Sequence, residues 1–225
     1  MTVAGKLCNT TYNEVKVTSK AEESESYFDL SGGSICLDFA NTVSERGSPS
    51  GSFDYLLGYH DLIAFARVEG VLSAEDARAV LAFSQTKLRE RARVHRTAIN
   101  LREAIFRVFA ALANSRAAKP QDVKMIEEFA IEAMKHRQLS SSGQQYHWEW
   151  KYDKDEMLAS VLWPIAQSAA ELLTSEKVKK VRECAAPTCA WLFLDESRNH
   201  SRRWCDMKVC GNRQKARRHY ARQHK

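Results

Sequence analysis

Apolar residues recur every three to four positions through much of the chain, which is the pattern of amphipathic helices. Four segments combine this pattern with helix start or stop signals: residues 60–69 before Gly70, residues 73–91 after a capping-box start at Ser73, residues 93–114, and residues 120–135 from Pro120. The clearest stripe lies in the third segment and consists of Leu101, Ile105, Val108, Phe109 and Leu112. The pattern therefore predicts four consecutive helices.

Three other segments carry different signals. The apolar run Ser34–Ala40 follows a Gly-Gly pair and predicts a buried strand, or a strand that passes into a helix. Residues 146–152 alternate aromatic and polar side chains, so we expect a strand with an aromatic face, as the second half of a hairpin that turns at Gly143. Residues 154–174 predict a further helix, and Pro164 should kink it because its ring removes an amide donor.

These elements predict an α+β fold with a mainly helical body and a small β-sheet. We expect residues 1–26 to be a flexible N-terminal tail, residues 27–176 to form the body, and residues 177–225 to form a separate small module. The chain shows no run of about 18 apolar residues, as a membrane-spanning helix needs, and its first 26 residues have no apolar signal-peptide core. We therefore expect a cytoplasmic protein that does not bind a membrane.

Four cysteines near the C-terminus follow the pattern C-x4-C-x15-C-x4-C, at Cys184, Cys189, Cys205 and Cys210. Two such pairs can enclose one tetrahedral zinc ion, and four thiolates leave no open position for a substrate, so the predicted zinc is structural. Iron–sulfur ligation is the alternative for four cysteines, although the spacing differs from that of ferredoxins. A catalytic zinc, with His200 or His219 in place of one cysteine, is a further alternative.

The other two cysteines, Cys8 and Cys36, have no local partner, and we expect both to be free, with Cys36 in the core. Around the metal, Trp191, Phe193 and Trp204 should form a miniature core. Packing of these rings against the metal site is favoured over stacking on nucleic-acid bases, which requires exposed rings.

Charge is distributed unevenly along the chain. Residues 177–225 contain 14 Lys and Arg against 4 Asp and Glu, whereas residues 1–176 contain 20 against 24. A basic end on a mildly acidic body predicts a nucleic-acid-binding module, with duplex DNA as partner. The candidate DNA contacts are Arg198, Arg202, Arg203, Arg213, Lys215, Arg217, Arg218 and Arg222.

The last five of these candidate contacts should lie on one C-terminal helix. We expect Asn212 to cap this helix, and Ala216 and Tyr220 to face the zinc module. A basic tail of this kind can also be a solvated helix end whose cations merely complement the helix dipole.

In the body, six residues are candidates for binding a small ligand between sheet and helices: Asp38, Asn41, Arg102, Arg107, Trp148 and Trp150. The alternative is that the polar residues are paired near the core and that the two tryptophans pack on one face of the sheet. Asn41 can equally cap a turn at the end of its apolar segment.

The C-terminal module resembles the CGNR zinc-finger family of bacterial proteins. Cys210-Gly211-Asn212-Arg213 spells the family name, and the similarity continues through Trp191–Asp195, Ser197–Asn199, Ser201–Cys205, Met207 and Lys215–Arg218. The resemblance implies a small zinc finger, treble-clef-like or similar, with one structural Zn²⁺.

The body is similar to the ABATE domain, which is usually found upstream of this finger in stress-induced transcription regulators. The matching segments are Gly32–Thr42, Asp61-Leu62, Leu101–Ala104 and Ala166–Leu173. The chain has Glu128-Phe129 where that family usually has a Leu-Asn pair, so no role of that Asn carries over. The resemblance implies a sensor-like α/β body attached to a DNA-binding finger.

Together these features predict a zinc-dependent, DNA-binding transcription regulator that is not an enzyme. Its body would sense a small-molecule effector, form a homodimer, or do both. The alternatives are a nucleic-acid-processing enzyme and a zinc module that binds RNA or protein. Against an enzyme, the sequence shows no carboxylate cluster with metal spacing, no H-E-x-x-H motif, no phosphate-binding glycine loop and no nucleophile with a nearby base.

Overall fold

A computed structural model describes residues 28–223, apart from the side chain of Arg218. The predicted flexible tail and Cys8 lie outside this part of the chain. The helices are α1 (Ile35–Ala40), α2 (Tyr59–Val68), α3 (Ala74–Ser84), α4 (Leu88–Ala113), α5 (Pro120–Lys135), α6 (Leu162–Thr174) and α7 (Asn212–Gln223). The strands are β1 (Val43–Ser44), β2 (Phe53–Asp54), β3 (Arg137–Ser142), β4 (Gln145–Trp150), β5 (Val181–Glu183) and β6 (Leu192–Leu194). They form three antiparallel pairs, β1–β2, β3–β4 and β5–β6. The predicted mainly helical α+β fold is therefore confirmed.

The long helix α4 organises the body. Its predicted stripe is buried, with Leu101, Ile105, Val108 and Phe109 fully inaccessible to solvent. Helices α1, α2 and α5 pack against α4, and α6 packs against α5 and α1. No described helix has both the length and the apolar character needed to cross a membrane.

Two helix boundaries differ from the sequence prediction. The helix predicted to reach Arg91 ends at Ser84, and the next one already begins at Leu88. Between them the chain turns, with the Thr86 hydroxyl donating to the Phe83 carbonyl at 2.7 Å. Such local side-chain bonds compete with continued helix, and hydrophobic periodicity does not register them.

The strand predicted for Ser34–Ala40 is wrong. Residues Ile35–Ala40 form the short helix α1, in which Cys36 through Ala40 are all buried. A short segment that is almost entirely buried is apolar at most positions, here at all but Asp38, so its sequence carries no clear period that separates helix from strand. The expectation that Cys36 is a free core cysteine is confirmed.

Helix α6 begins at Leu162 rather than at residue 154 and has no interruption at Pro164. Residues 154–161 form turns instead. Pro164 is the third residue of α6, where a backbone N–H would have no partner within the helix. The predicted kink is therefore absent because the proline lies in the first turn.

The predicted hairpin is confirmed. Strands β3 and β4 pair from Arg137 with Trp150 to Ser142 with Gln145, and Gly143 at the turn has φ +64°. Along the aromatic face, exposure falls from 75% at Tyr146 to 45% at Trp148 and 8% at Trp150. The inner end of the hairpin thus enters the core while its tip projects into solvent.

Strand β6 connects the body to the C-terminal module. Leu192 and Leu194 belong to the body's core, whereas Phe193 between them packs in a second cluster with the four cysteines. Alternation of side chains along a strand places these residues on opposite faces. The domain boundary near residue 177 stays a prediction, since the two parts share this strand.

Candidate metal centre and basic surface

The four predicted cysteines converge on one buried point. Their Sγ atoms all lie within 4.8 Å of one another, with Cys205 Sγ at 3.6 Å from both Cys189 Sγ and Cys210 Sγ. A tetrahedron with Zn–S bonds of about 2.3 Å has sulfur atoms about 3.8 Å apart. No disulfide joins these cysteines, so all four sulfurs are available as ligands. The residues therefore fit one zinc ion in a closed site.

The first cysteine pair lies on a turn between β5 and β6. Cys184 follows β5 directly, and its backbone N–H donates to the Trp191 carbonyl at 2.8 Å. The Cys189 N–H donates to the Ala186 carbonyl at 3.0 Å, which tightens the turn. These bonds direct both thiols of the pair toward the same side.

The second cysteine pair lies at the start of the terminal helix. Cys210 belongs to a π-helical turn, Met207–Gly211, whose N-cap Asp206 accepts a bond from the Val209 N–H at 2.7 Å. Helix α7 continues directly from this turn at Asn212. Two ligands thus come from the turn between β5 and β6, one comes from the π-helical turn, and Cys205 directly precedes the cap of that turn.

Gly211 allows a close approach inside this second half of the site. Its Cα is buried, and a Cβ atom there would meet the Met207 side chain and lie 3.2 Å from Cδ1 of Trp204. A glycine directly after the last cysteine therefore lets the side chains of Met207 and Trp204 pack closely against this turn.

The pKa values of the four cysteines also indicate that their site suits a bound cation. Hydrogen bonds from Cys189 and Cys205 lower the pKa of Cys184 to about 2, while the bond to Cys184 raises the pKa of Cys205. Burial raises the pKa of Cys210. Four crowded thiols cannot all ionise alone, because each thiolate disfavours the next. A bound Zn²⁺ supplies the positive charge that makes four thiolates compatible.

The predicted miniature core is present around this site. Phe193 is fully buried, and Trp191 and Trp204 pack against the cysteine cluster. The Trp191 indole N–H donates to the Val43 carbonyl of the body at 2.8 Å. Neither histidine of the catalytic alternative belongs to the cluster: His200 Nδ1 lies 3.0 Å from the Asp195 carbonyl oxygen.

Helix α7 exposes most of the predicted basic residues. Arg213, Lys215, Arg217 and Arg222 are exposed, while the side chain of Arg218 lies outside the described residues. Arg213 Nη1 is 3.4 Å from Glu45 Oε1 of the body, and both side chains are about half exposed. The described cations point outward from a helix whose first turn is joined to the metal site.

Two details of the helix prediction are wrong. Asn212 does not cap the helix, because the cap is formed earlier by Asp206 before the π-helical turn. Ala216 and Tyr220 do not face the module: both are exposed, Tyr220 at 68%. The capping prediction fails because the π-helical turn Met207–Gly211 precedes α7, so Asn212 already lies inside a continuous helical segment.

The loop before Cys205 contains the other three predicted contacts. Arg198 and Arg203 are exposed, and the Arg203 guanidinium lies 5.4 Å from the ring centre of Trp204. Arg202 is half-buried instead: it donates to the carbonyls of Trp204 and Cys205 and lies over the ring of Phe193. Its donors hold the cysteine loop, so Arg202 is a structural residue of the finger.

The carboxylate of Asp195 holds this loop in place through hydrogen bonds. It is fully buried and accepts bonds from the Ser197 N–H, the Ser197 hydroxyl and the Arg202 N–H. Burial alone would raise the pKa of Asp195, but these hydrogen bonds outweigh it and lower that pKa. An ionised carboxylate therefore stabilises the loop that carries Arg198 and Arg203.

The six ligand candidates of the body are not brought together. Arg102 is buried and makes a bidentate contact with Asp54, both bonds at 2.7 Å, and Arg107 makes another with Asp122. Asp38 Oδ1 accepts from the Gly32 N–H at 2.7 Å. For these three residues the structure supports the alternative of polar groups paired near the core.

Asn41 links the body to the finger. Its Nδ2 donates to the Leu192 carbonyl and its Oδ1 accepts from the Leu192 N–H, both at 2.8 Å. The side-chain amide of Asn41 thus makes the two hydrogen bonds to Leu192 that a neighbouring strand would make to β6. The remaining candidates, Trp148 and Trp150, both contact the guanidinium of Arg137, at 5.1 and 5.0 Å from their ring centres.

Arg137 is not among the candidates that the sequence suggests. It lines a cavity of about 430 Å³ together with Trp150. The predicted hairpin held a usable signal, because a two-residue turn at Gly143 pairs residue 137 with residue 150. The rest of the cavity comes from the start of α1, from α6 and the residues after it, and from β6, and no local sequence signal brings these segments together.

A four-cysteine finger joined to a helical body defines a class of two-part zinc-finger proteins. Residues 180–223 match the CGNR zinc finger, and residues 33–176 match the ABATE family, described as "Putative stress-induced transcription regulator". The latter match covers more than half of the chain, and the chain belongs to the ABATE family. No curated protein matches this chain. The resemblance to both families is thereby confirmed, as is the single zinc of the finger.

Proposed function

We propose that this protein is a DNA-binding transcription regulator whose zinc finger and helix α7 contact duplex DNA. The observation that carries the proposal is the direct continuation of the metal site into α7, through Cys210, Gly211 and Asn212. The zinc ion restricts the orientation of α7, and the helix exposes Arg213, Lys215, Arg217 and Arg222. A helix fixed at one end and rich in arginine suits the major groove of DNA.

The loop contacts of the proposal follow from the same geometry. Arg198 and Arg203 are exposed on the segment that Asp195 and Arg202 hold against the finger. Arginine at such positions suits phosphate oxygens, which set the register of a protein on DNA without reading its sequence. Arg218 remains a predicted contact, and Arg202 is left out because its donors are engaged within the finger.

Footprinting on genomic DNA fragments tests the proposal, because it works on any fragment even when the target sequence is unknown. The wild type should protect discrete sites, and the double variant Arg217→Ala, Arg222→Ala should lose them. The matched control is Arg78→Ala, Arg89→Ala, which removes two exposed cations from the body. Identical footprints of the wild type and the finger variant would contradict the proposal.

Salt dependence and competition sharpen this test. If about four phosphates are neutralised, the logarithm of the association constant should fall with the logarithm of salt concentration with a slope near −4. A slope near zero would contradict DNA binding through α7. Stronger competition by structured RNA than by duplex DNA at the same salt would favour the RNA-binding alternative.

We include homodimerisation and effector binding by the body in the proposal. Dimerisation is supported by large exposed apolar side chains on two consecutive elements, Ile131 and Met134 on α5 and Leu139, Tyr146 and Trp148 on the hairpin. Light scattering during size-exclusion chromatography tests it. The double variant Ile131→Ser, Met134→Ser should be monomeric if this surface joins two copies, whereas a monomeric wild type would contradict dimerisation.

A further inference from the structure

A cavity of about 430 Å³ lies where the body meets the finger. Its apolar walls come from Ile35 at the start of α1, Trp150 on β4, Pro164 and Leu172 on α6, and Leu194 on β6. The volume is within the range of about 300–1,000 Å³ that is typical of small-molecule sites. Because β6 also packs against the metal site, a molecule in this cavity would contact both parts of the protein.

Arg137 is the polar residue that distinguishes this cavity. Its side chain is 18% exposed, and it forms no hydrogen bond to any described residue. The closest carboxylate oxygen, on Glu171, lies 3.9 Å from its Nη1. A guanidinium carries five N–H donors, and the one at Arg137 Nε is buried without a hydrogen-bond partner in the described part of the chain, which is costly. Cation–π contacts with Trp148 and Trp150 hold the group in place but satisfy none of these donors.

Further polar groups line the cavity beside this guanidinium. The hydroxyls of Ser34 and Ser168 are 3.0 Å apart, and Ser168 Oγ accepts a bond from the Cys36 N–H. Lys177 contributes a second cation at the rim, so the lining has two cations against the single carboxylate of Glu171. The lining therefore combines net positive charge with apolar walls.

We propose that this cavity binds a small organic acid, with its carboxylate on the guanidinium of Arg137 and its apolar part against Trp150, Ile35 and Leu194. A carboxylate can accept two parallel bonds from one guanidinium, which would pair donors that have no hydrogen-bond partner among the described residues. The binding itself is independent of DNA. Its role as effector binding rests on the proposed function, because the signal would pass through β6 to the zinc finger.

The test uses the full-length, zinc-loaded protein and three probes of one shape: phenylacetate, the neutral phenylacetamide and the cationic phenethylamine. Tryptophan fluorescence reports binding because Trp150 lines the cavity, and thermal shift provides an independent readout. Phenylacetate should bind at least about tenfold more tightly than the amide, and the amine more weakly still. This comparison needs no variant, so it does not depend on the folding of a mutant.

A variant then assigns the binding to Arg137. Arg137→Gln should abolish the preference for phenylacetate over phenylacetamide, while Arg116→Gln, which removes an exposed arginine elsewhere in the body, should retain it. Octanoate and indole-3-acetate extend the probes to other apolar shapes. If no carboxylate of the series binds at about 10 mM, or if the amide binds as tightly as the acid, the proposal is overturned.

The two proposals fail in distinguishable ways. Binding of phenylacetate is measured without DNA, and footprinting is performed without phenylacetate. If both succeed, adding phenylacetate to the footprinting reaction should change the DNA affinity of the wild type and not that of Arg137→Gln. An unchanged DNA affinity in the wild type would leave the site as an organic-acid site and overturn its role as effector binding.

Discussion

The body and the finger are built on different physical principles. The body buries a large apolar core around α4, including Phe39, Phe65 and Phe109. The finger has one fully buried aromatic side chain, Phe193, with two half-buried tryptophans beside the four cysteines. Modules this small bury too little apolar surface to fold alone, and bound zinc supplies the missing free energy. One strand, β6, is therefore stabilised from one side by apolar packing and from the other by the metal site.

The largest expected effect comes from removing one zinc ligand. Cys205→Ser should release the zinc and unfold the finger, since zinc contributes on the order of 10 kcal/mol to such modules. The body should remain folded with a lower melting temperature, because it loses the cover that β6 provides. Zinc content and limited proteolysis measure this outcome, with cleavage expected C-terminal to α6.

Cys36→Ser is the matched control for this change. Cys36 is equally buried but lies in the body, where burial raises the pKa of its thiol to about 11. The variant should retain its zinc and the proteolytic stability of its finger. Equal zinc content in Cys205→Ser and the wild type would contradict the four-cysteine site.

The second prediction concerns the contact that joins the two regions. Asn41→Ala leaves the N–H and carbonyl of Leu192 buried without their partner, because the Asn41 side chain bonds both of them. Each buried unpaired group costs about 1–3 kcal/mol, so for the two groups we expect a loss of about 2–6 kcal/mol in the free energy of unfolding. Urea unfolding followed by tryptophan fluorescence measures it.

Asn114→Ala provides the comparison for this second change. Its Nδ2 also bonds across the junction, to Glu183 Oε2 at 2.6 Å, but in an exposed position. We expect a loss of less than about 1 kcal/mol, because water replaces an exposed bond. Equal losses in the two variants would show that Asn41 does not act as a buried connection.

Features that depend on residues close together in the sequence could be predicted, whereas features that depend on residues far apart in the sequence could not. The α4 stripe, the hairpin at Gly143 and the cysteine cluster all follow from local period or spacing, and all three are present. For Ile35–Ala40 the sequence predicts a strand, or a strand that passes into a helix, because five of its six residues are buried and the segment has no clear period. The pairing of Asn41 with Leu192 joins residues 151 positions apart, so no local pattern contains it.

The residues of the cavity also could be predicted only in part, because their contacts depend on tertiary packing. The aromatic face of the hairpin makes Trp150 a ligand candidate, and Trp150 does line the cavity. The pairing of Arg102 and Arg107 with acidic residues depends on tertiary packing, which the sequence does not reveal. Polar residues in a predicted core are equally compatible with a ligand and with an internal partner, and only the packed structure separates these two interpretations.

The stability of the body should depend on pH through Glu69. Burial, together with the nearby charge of Asp38, raises the pKa of Glu69 from its usual value to about 8. A carboxyl whose pKa is raised on folding contributes its stability below the pKa of the unfolded chain and loses it as pH rises through 8. The melting temperature of the wild type should therefore fall from pH 5 to pH 9, and Glu69→Gln should reduce this fall by a few degrees.

Two control measurements test whether the pH dependence arises from Glu69. Glu127→Gln, which changes an exposed carboxylate on α5, should leave the pH dependence as in the wild type. Zinc content should stay constant over the same pH range, so that the change reports the body alone. A Glu69→Gln variant with the unchanged wild-type profile would contradict the assignment to Glu69.

The smallest expected effect concerns the ion pair between Arg213 and Glu45. Because both side chains are about half exposed, the pair should contribute less than about 1 kcal/mol to stability. If α7 binds DNA as proposed, Glu45→Gln releases Arg213 and should raise DNA affinity by a few fold at low salt, with the gain disappearing at high salt. Fluorescence anisotropy with a footprinted duplex measures this gain.

Glu196→Gln removes an exposed carboxylate of the finger that has no described ion pair, so it controls for the general loss of negative charge. Equal gains in the two variants would mean that the body does not restrain the DNA-binding helix through Glu45.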